Sequence, residues 1–164
     1  MPSRFLAAAL TAPWLLTAVP TPSAAQMAER EPAAVAAGIG LTWAAVQRFV
    51  RDDPNNGRLD LIEEGAGVRH GRWLVDIPSS DFRASEWASC RAGADAAYGP
   101  RQGVVDVVVR GDSTASTVLV SARWSAQDPS QPQTASTCTT QGKYEQDTEK
   151  VVRTRAEREA KRRG

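Results

Sequence analysis

The stretch VVDVVVR at residues 104–110, the turn GDS at 111–113 and the stretch TASTVLVSARW at 114–124 decide the fold of this chain. Valine occupies every second position of the first stretch, and apolar residues alternate again from Val118 to Trp124. β-Branched residues with a period of two on both sides of a short glycine-containing turn are typical of an antiparallel hairpin. The sequence therefore predicts such a hairpin here.

Two shorter stretches before the hairpin show the same alternation. Residues 58–63 (RLDLIE) alternate leucine with charged residues, and residues 72–77 (RWLVDI) place Trp73 and two aliphatic residues on one side. Both patterns predict half-buried strands. The long segment 78–102 is predicted to be irregular, and a segment of this length needs a cross-link or a short helix to hold it in a compact domain. The polar segment 127–137 is predicted to be a loop.

A helix is predicted on either side of these strands. Thr42 has the residue type of an N-cap, and apolar residues follow it at helical spacing: Trp43, Val46, Phe49 and Val50. A second helix is predicted from Gly142 onward, where Glu145 is placed to support the first turn. Beyond Ala156 this helix is predicted to be solvated on all sides and to fray.

The predicted order is helix, four strands, helix. Consecutive strands joined by turns favour a mostly antiparallel four-stranded sheet with both helices on one face, which is a two-layer α+β domain. This domain is assigned to residues 41–152. Residues 26–40 are interpreted as a linker or frayed N-terminus, and residues 153–164 as a basic solvated tail.

Residues 1–25 have the order of a secretory signal peptide. Arg4 precedes an apolar stretch at 5–19, and the small residues Ser23 and Ala25 stand at the −3 and −1 positions before Gln26. The protein is therefore predicted to be exported, either periplasmic or secreted. The alternative is that this segment is retained as an uncleaved anchor. No apolar run reaches the roughly 20 residues of a membrane-spanning helix, so no span is expected after cleavage.

The composition excludes several classes of function. The chain has 164 residues with 20 Lys and Arg against 19 Asp and Glu, and 41% of its residues are hydrophobic. A near-zero net charge argues against a nucleic-acid binder, and the hydrophobic fraction argues against a disordered protein. With one histidine and two cysteines, we expect neither enzymatic activity nor a metal or other cofactor.

Cys90 and Cys138 are the only cysteines of the chain. In an exported protein an even number of cysteines predicts a disulfide, and two allow a single connectivity. The bridge closes a loop of about 49 residues and contributes roughly 4 kcal/mol in the chain-entropy account. A reactive thiol is the alternative, but no C-x-x-C spacing is present to support it.

The segment CTTQGKYE at residues 138–145 resembles the C-x-S-T-G-x-x-E pattern that closes small exported domains of bacterial envelope proteins. Cys138, Gly142 and Glu145 match the pattern, and in those domains an earlier cysteine, here Cys90, pairs with the cysteine of the motif. The resemblance covers residues 42–152. More distantly, the chain is similar to the helix-on-sheet domains of a lipoprotein accessory to outer-membrane protein assembly. The resemblance implies a fold and a compartment but no reaction.

Other patterns give little support to catalysis or ligand binding. His70 has no second ligand and is predicted to be an exposed turn histidine. Residues 79–81 (SSD) lack a nucleophile elbow, and Gly65 and Gly67 lack the helix that a phosphate loop requires. Residues 110–112 spell Arg-Gly-Asp, but glycine and aspartate are also what a tight turn favours.

The sequence therefore predicts an exported non-catalytic domain that binds an unknown protein or component of the cell envelope. The proposed contact surface is the sheet face that no helix covers, with exposed aromatic anchors, and the basic C-terminus is a candidate for peripheral contact with an anionic partner. The aromatic residues have core packing as their alternative, and at least two are expected to be buried. The candidate residues are Trp73, Trp87, Tyr98, Trp124, Arg155, Arg158 and Arg162.

The alternative function is binding of a small ligand or lipid in a pocket between the helices and the sheet. The two functions predict different surfaces. A concave apolar pocket with convergent polar groups favours the ligand-binding function. A sheet face with an exposed aromatic patch favours the partner-binding function.

Overall fold

The computed structural model describes residues 30–78, 84–92, 96–98, 100–128 and 131–164. The predicted signal peptide and the serine pair at 79–80 lie outside the described residues. The elements, in chain order, are β1 Ala33–Val35, α1 Ile39–Asp52, β2 Asp60–Gly65, β3 Val68–Asp76, α2 Ala84–Trp87, β4 Ala88–Ala92, β5 Ala96–Tyr98, β6 Gln102–Gly111, β7 Ser116–Asp128, β8 Gln131–Thr140 and α3 Lys143–Arg163.

The strands pair in the order β2-β3-β6-β7-β8-β4-β5, and β1 also pairs with β7. Every one of these pairings is antiparallel, and β6 and β7 run together from Gln102 opposite Ser125 to Gly111 opposite Ser116. The α+β class, the antiparallel sheet and the predicted hairpin are therefore confirmed. The predicted number of elements is too low, because the structure adds β1, β4, β5, β8 and the short helix α2.

The additional strands lie where no alternation of apolar residues is present. β8 has the polar sequence QPQTASTCTT and is held by backbone pairing to β7 on one side and to β4 on the other. β1 pairs with Ser116–Val118 of β7, and Val35 is buried, so part of the predicted linker 26–40 belongs to the domain. A strand held mainly by backbone hydrogen bonds needs no apolar alternation, so its sequence gives no periodic signal.

The core lies between the helices and one face of the sheet. The strand register places Trp73 opposite Val105, and Val105 opposite Ala122, so alternate residues of β3, β6 and β7 share this face. α1 and α3 pack over it and against each other. Val46 and Val152 are fully buried there. The two-layer arrangement follows from the alternation, since each strand has one apolar side to cover.

Both helices extend further than the sequence predicts. α1 begins at Ile39 after Gly38, not after Thr42, and the Ile39 N–H donates to the Asp112 carbonyl. Thr42 is instead buried, and its hydroxyl shares a 2.8 Å hydrogen bond with that of Ser116. α3 continues to Arg163, since Ala156 is buried and Ala160 packs against the core. Small alanines on the buried side of a charged helix leave little apolar signal in the sequence.

Among the described residues, no strand pairs with the middle of one edge of β7. β1 pairs with residues 116–118 and β8 with residues 125–128. Between them, the Val120 N–H donates to Glu149 Oε1 at 2.9 Å, and the Val120 carbonyl accepts from Arg30 Nη1 at 3.0 Å. Arg30 and Glu149 are themselves paired at 2.9 Å. A partly buried ion pair therefore satisfies backbone groups that a strand would otherwise satisfy.

Candidate functional site

The aromatic residues proposed as exposed anchors lie on the helix side of the sheet. Trp73 and Trp124 are each only 1% exposed, because the register turns them toward α1 and α3. Trp87 is half-buried and stacks on Trp124 with 5.7 Å between ring centroids. Trp73 and Trp124 are therefore core residues and not exposed anchors, in agreement with the expectation that at least two of the aromatic candidates are buried. The Tyr98 side chain lies outside the described residues.

A cavity of about 320 Å³ lies where the helices meet the end of β3. Its walls come from the C-terminal end of α1, from α2, from the N-terminal half of α3 and from the last residues of β3. Three aromatic rings line it, and aliphatic side chains complete its apolar surface: Phe49, Trp87, Tyr144, Val75, Ile77, Pro78 and Val151. Of these, Tyr144 and Trp87 are fixed by an edge-to-face contact at 5.1 Å.

The charged side chains around this cavity are mostly acidic. Four carboxylates line it, against one ammonium group, that of Lys143: Asp53, Asp76, Glu86 and Asp147. Lys143 lies 3.6 Å from Glu86 and 3.8 Å from Asp147, so its charge is already shared between two partners. Burial raises the pKa of Tyr144 above its usual range, which keeps the phenol neutral. The described lining is therefore negatively charged.

A second cluster, centred on Asp106, lies on the open face of the sheet. Asp106 is 6% exposed and lies close to two arginine side chains and the imidazole of His70. Its Oδ1 is 2.8 Å from Arg72 Nε and 3.3 Å from His70 Nε2, and its Oδ2 is 3.3 Å from Arg123 Nη2. Cross-strand neighbours converge in this way when three adjacent strands present their other side to solvent.

This cluster corrects the prediction for His70. The residue lies in β3, and its side chain is 20% exposed, so it is not an exposed turn histidine. The sequence contains one signal for this cluster. Asp106 interrupts the valines of residues 104–109, and a charged residue in such a strand must face away from the apolar side. The cluster contains no nucleophile, and no group of metal-binding side chains occurs within the described parts of the chain.

A large apolar side chain, that of Leu74, is also exposed on the open face. Leu74 is 59% exposed and follows Arg72 on the same side of β3. Its cross-strand neighbour on that face is Val104, which is half-buried. This combination of an apolar side chain and a charged cluster is a candidate partner surface, but its described residues include no aromatic ring.

Arg110-Gly111-Asp112 has a structural role at the β6–β7 turn. Asp112 Oδ1 accepts hydrogen bonds from the Thr114 N–H, the Thr114 hydroxyl at 2.7 Å and the Ala115 N–H at 3.0 Å. These bonds lower the pKa of Asp112 to about 2. The carboxylate therefore organises its own turn, which agrees with the interpretation of the tripeptide as a turn sequence.

The basic candidates on α3 differ in their partners. Arg155 Nη1 is 2.8 Å from Asp52 Oδ2, and Arg162 Nη2 is 2.9 Å from Glu159 Oε2. Arg158 is exposed and has no ion-pair partner in the described part of the chain. Two of the three candidate arginines are therefore already paired with carboxylates, and only Arg158 is without an ion pair among the described residues.

Cys90 and Cys138 form the predicted disulfide. They lie directly opposite each other on β4 and β8, with 4.2 Å between their Cα atoms. The following residues lead into α3: the Gly142 N–H donates to Thr140 Oγ1, and the Thr140 hydroxyl donates to Glu145 Oε1 at 2.7 Å. Glu145 therefore supports the entry to α3 through Thr140.

Comparisons with protein-family models, with curated proteins and with solved structures find no match. Among the described residues, no helix has the length and apolar character needed to cross a membrane. The function must therefore be argued from the geometry of this chain alone.

Proposed function

We propose that this protein is an exported, non-catalytic binding domain whose ligand occupies the cavity between α1, α2, α3 and β3. The observation that carries the proposal is the cavity itself, whose volume of about 320 Å³ is at the small end of the usual range for ligand sites, about 300–1,000 Å³. Aromatic and aliphatic walls supply apolar contact, and the polar groups of the lining supply orientation.

Export is supported by two independent features. The Cys90–Cys138 disulfide is of a kind that persists in oxidising compartments and is rare in the cytosol. The pattern of residues 1–25 is that of a signal peptide. The resemblance of residues 138–145 to exported envelope domains is in keeping with both.

The charge of the lining limits the chemistry of the ligand. Four carboxylates against one shared ammonium group favour an uncharged or cationic ligand and disfavour an anion. The aromatic rings favour a ligand with an apolar portion, and they attract a cation held over a ring face. A small organic amine with an apolar group fits these requirements best.

The test uses three probes of similar size and different charge: benzylamine, benzyl alcohol and benzoate. We expect shifts in the NMR signals of cavity-lining residues to be strongest with benzylamine, weaker with benzyl alcohol and absent with benzoate. Val151→Trp fills the cavity from α3 and abolishes these shifts. Val104→Trp, at a half-buried valine on the open face, is the matched control and leaves them unchanged. The proposal fails if no probe perturbs the cavity residues.

Partner binding by the open face is a second candidate, favoured by the exposure of Leu74 beside the Asp106 cluster. Leu74→Asp is expected to abolish retention of a partner from envelope fractions. Leu61→Asp, at a similarly exposed leucine on β2, is expected to leave retention intact. Equal retention by both variants and the unsubstituted protein would exclude this surface.

A further inference from the structure

The solvent side of the helical layer carries a set of unpaired cations. On α3 these are Lys150, Arg153, Arg158 and Lys161, and none forms an ion pair with another described residue. At 100° per residue they fall within an arc of about 140°. Val152 and Ala156, which are buried, lie on the opposite side of the helix. The four side chains therefore share one outward face.

α1 extends this face. Arg48 and Arg51 are exposed on α1 and have no ion-pair partner among the described residues. α1 and α3 pack side by side, and Arg48 is near enough to α3 to contribute to the lowered pKa of Glu159, although hydrogen bonding from Arg163 is the main cause. We call the six side chains Arg48, Arg51, Lys150, Arg153, Arg158 and Lys161 the basic face.

Two of the three acidic residues beside the basic face are already paired. Asp52 pairs with Arg155, and Glu159 pairs with Arg162 and Arg163. Glu157 accepts the Ala36 N–H and keeps its negative charge, so the six cations of the basic face outnumber the one unpaired carboxylate beside them. Because the chain after residue 25 has 19 basic and 19 acidic residues, an excess of positive charge here requires an excess of negative charge elsewhere. The molecule is strongly polarised although its net charge is close to zero.

We propose that the basic face docks on a membrane surface that contains anionic phospholipids. The cations extend over two neighbouring helices, and on α3 they span roughly 16 Å at 1.5 Å per residue. The large exposed apolar side chains, Leu61, Ile62 and Leu74, lie on strands and not on this face. The buried core of a protein interface is enriched in apolar and aromatic side chains and depleted of lysine, whereas a charged headgroup surface attracts an extended array of lysines and arginines. The occupant that matches the basic face is therefore lipid.

This docking is peripheral and electrostatic. The attraction acts within a Debye length, which is about 10 Å at 0.1 M salt, so binding weakens steeply as salt is added. The helical layer faces the membrane, and the open face of the sheet faces away from it. The inference is independent of the cavity, because no residue of the basic face lines the cavity.

The experiment is co-sedimentation of the disulfide-bonded chain from Gln26 onward with vesicles. This is the chain expected after cleavage of the predicted signal peptide, and omission of the apolar stretch at 5–19 prevents its insertion into the bilayer. We expect binding to vesicles of 30% phosphatidylglycerol in phosphatidylcholine, little binding to pure phosphatidylcholine, and at least a tenfold loss of bound protein between 50 and 500 mM NaCl.

Two double variants with equal charge loss separate the basic face from net charge. Arg153→Gln with Arg158→Gln is expected to reduce vesicle binding at least tenfold. Arg58→Gln with Arg110→Gln removes two exposed arginines from the strand side and is expected to reduce binding less than threefold. Circular dichroism establishes that each variant is folded.

Three results would overturn the proposal. The first is equal binding of the unsubstituted protein to neutral and anionic vesicles. The second is an equal loss of binding in both double variants. The third is retention on immobilised polyglutamate without vesicle binding, which would assign the basic face to an acidic protein instead of lipid.

Discussion

Glu149 accepts the backbone N–H of Val120 at 2.9 Å, so a side chain of α3 occupies a position at the sheet edge that a strand would normally fill. Arg30 completes the arrangement from the other end of the chain by donating to both the Val120 carbonyl and Glu149. The Glu149 side chain is 7% exposed. Burial of a charge in this way is stable only while both partners are present.

Glu149→Ala is expected to lower the free energy of unfolding by about 2–4 kcal/mol, because it leaves the Val120 N–H unsatisfied and Arg30 unpaired. Urea unfolding measures the change. Asp147→Ala, on an exposed part of the same helix, is the control and should change stability by less than about 0.5 kcal/mol. Equal effects of the two substitutions would contradict a special role for Glu149.

Glu149 also predicts that the stability of the protein depends on pH. Burial raises the pKa of Glu149 above its ordinary value of 4.5, against the opposing influence of the Val120 N–H and Arg30. A carboxyl group whose pKa is higher in the folded state binds more protons there, so its contribution to stability decreases as pH rises from about 4.5 through the raised value. Glu149→Gln removes this contribution.

Urea unfolding at pH values from 4 to 7 tests this sign. As pH rises through this window, the unsubstituted protein should lose stability relative to Glu149→Gln. A difference that is constant with pH would show that desolvation and the ion pair with Arg30 cancel, and a shift in the other direction would show that the ion pair outweighs desolvation.

A pair of glycines provides a test of packing. A methyl group at Gly103 would overlap the indole ring of Trp124, whereas one at Gly40 would meet no atom within 4 Å. Gly103→Ala is therefore expected to destabilise the fold by about 1–3 kcal/mol through overpacking. Gly40→Ala, within α1, is expected to be neutral or stabilising by up to about 1 kcal/mol. Thermal unfolding of both variants gives the comparison.

The disulfide predicts a redox dependence of stability. Replacement of Cys90 and Cys138 by alanine is expected to lower the free energy of unfolding by about 4 kcal/mol, with a model-dependent range. Dithiothreitol should destabilise the unsubstituted protein by a similar amount and leave the double variant unchanged. Equal unfolding curves for the oxidised and reduced forms would show that the pairing of β4 with β8 is held by other contacts.

The sequence predicts the parts of this fold in which side chains alternate between two environments. The valines of β6 and β7 and the apolar face of α1 belong to this class, and their positions are confirmed. The alternation also turns Trp73 and Trp124 toward the helices, which is why they are core residues and not anchors. Strands such as β1 and β8 are determined by backbone pairing with distant residues, which no local pattern records.

The candidate sites are even less visible in the sequence. The cavity forms from four elements that are separate along the chain, and the Asp106 cluster forms from three strands. Only register and packing bring these residues together. By contrast, the basic residues of α3 are evident in the sequence, and the structure adds their common direction and the contribution of Arg48 and Arg51.

The ion pair between Arg30 and Glu149 joins residues that are 119 positions apart in the chain. As a ribosome delivers the polypeptide from its amino end, the middle of β7 stays uncovered until α3 has emerged. A product truncated before this helix would therefore present a bare strand edge to other molecules, which is the situation that leads to aggregation. Quality control of such incomplete chains would act on that edge.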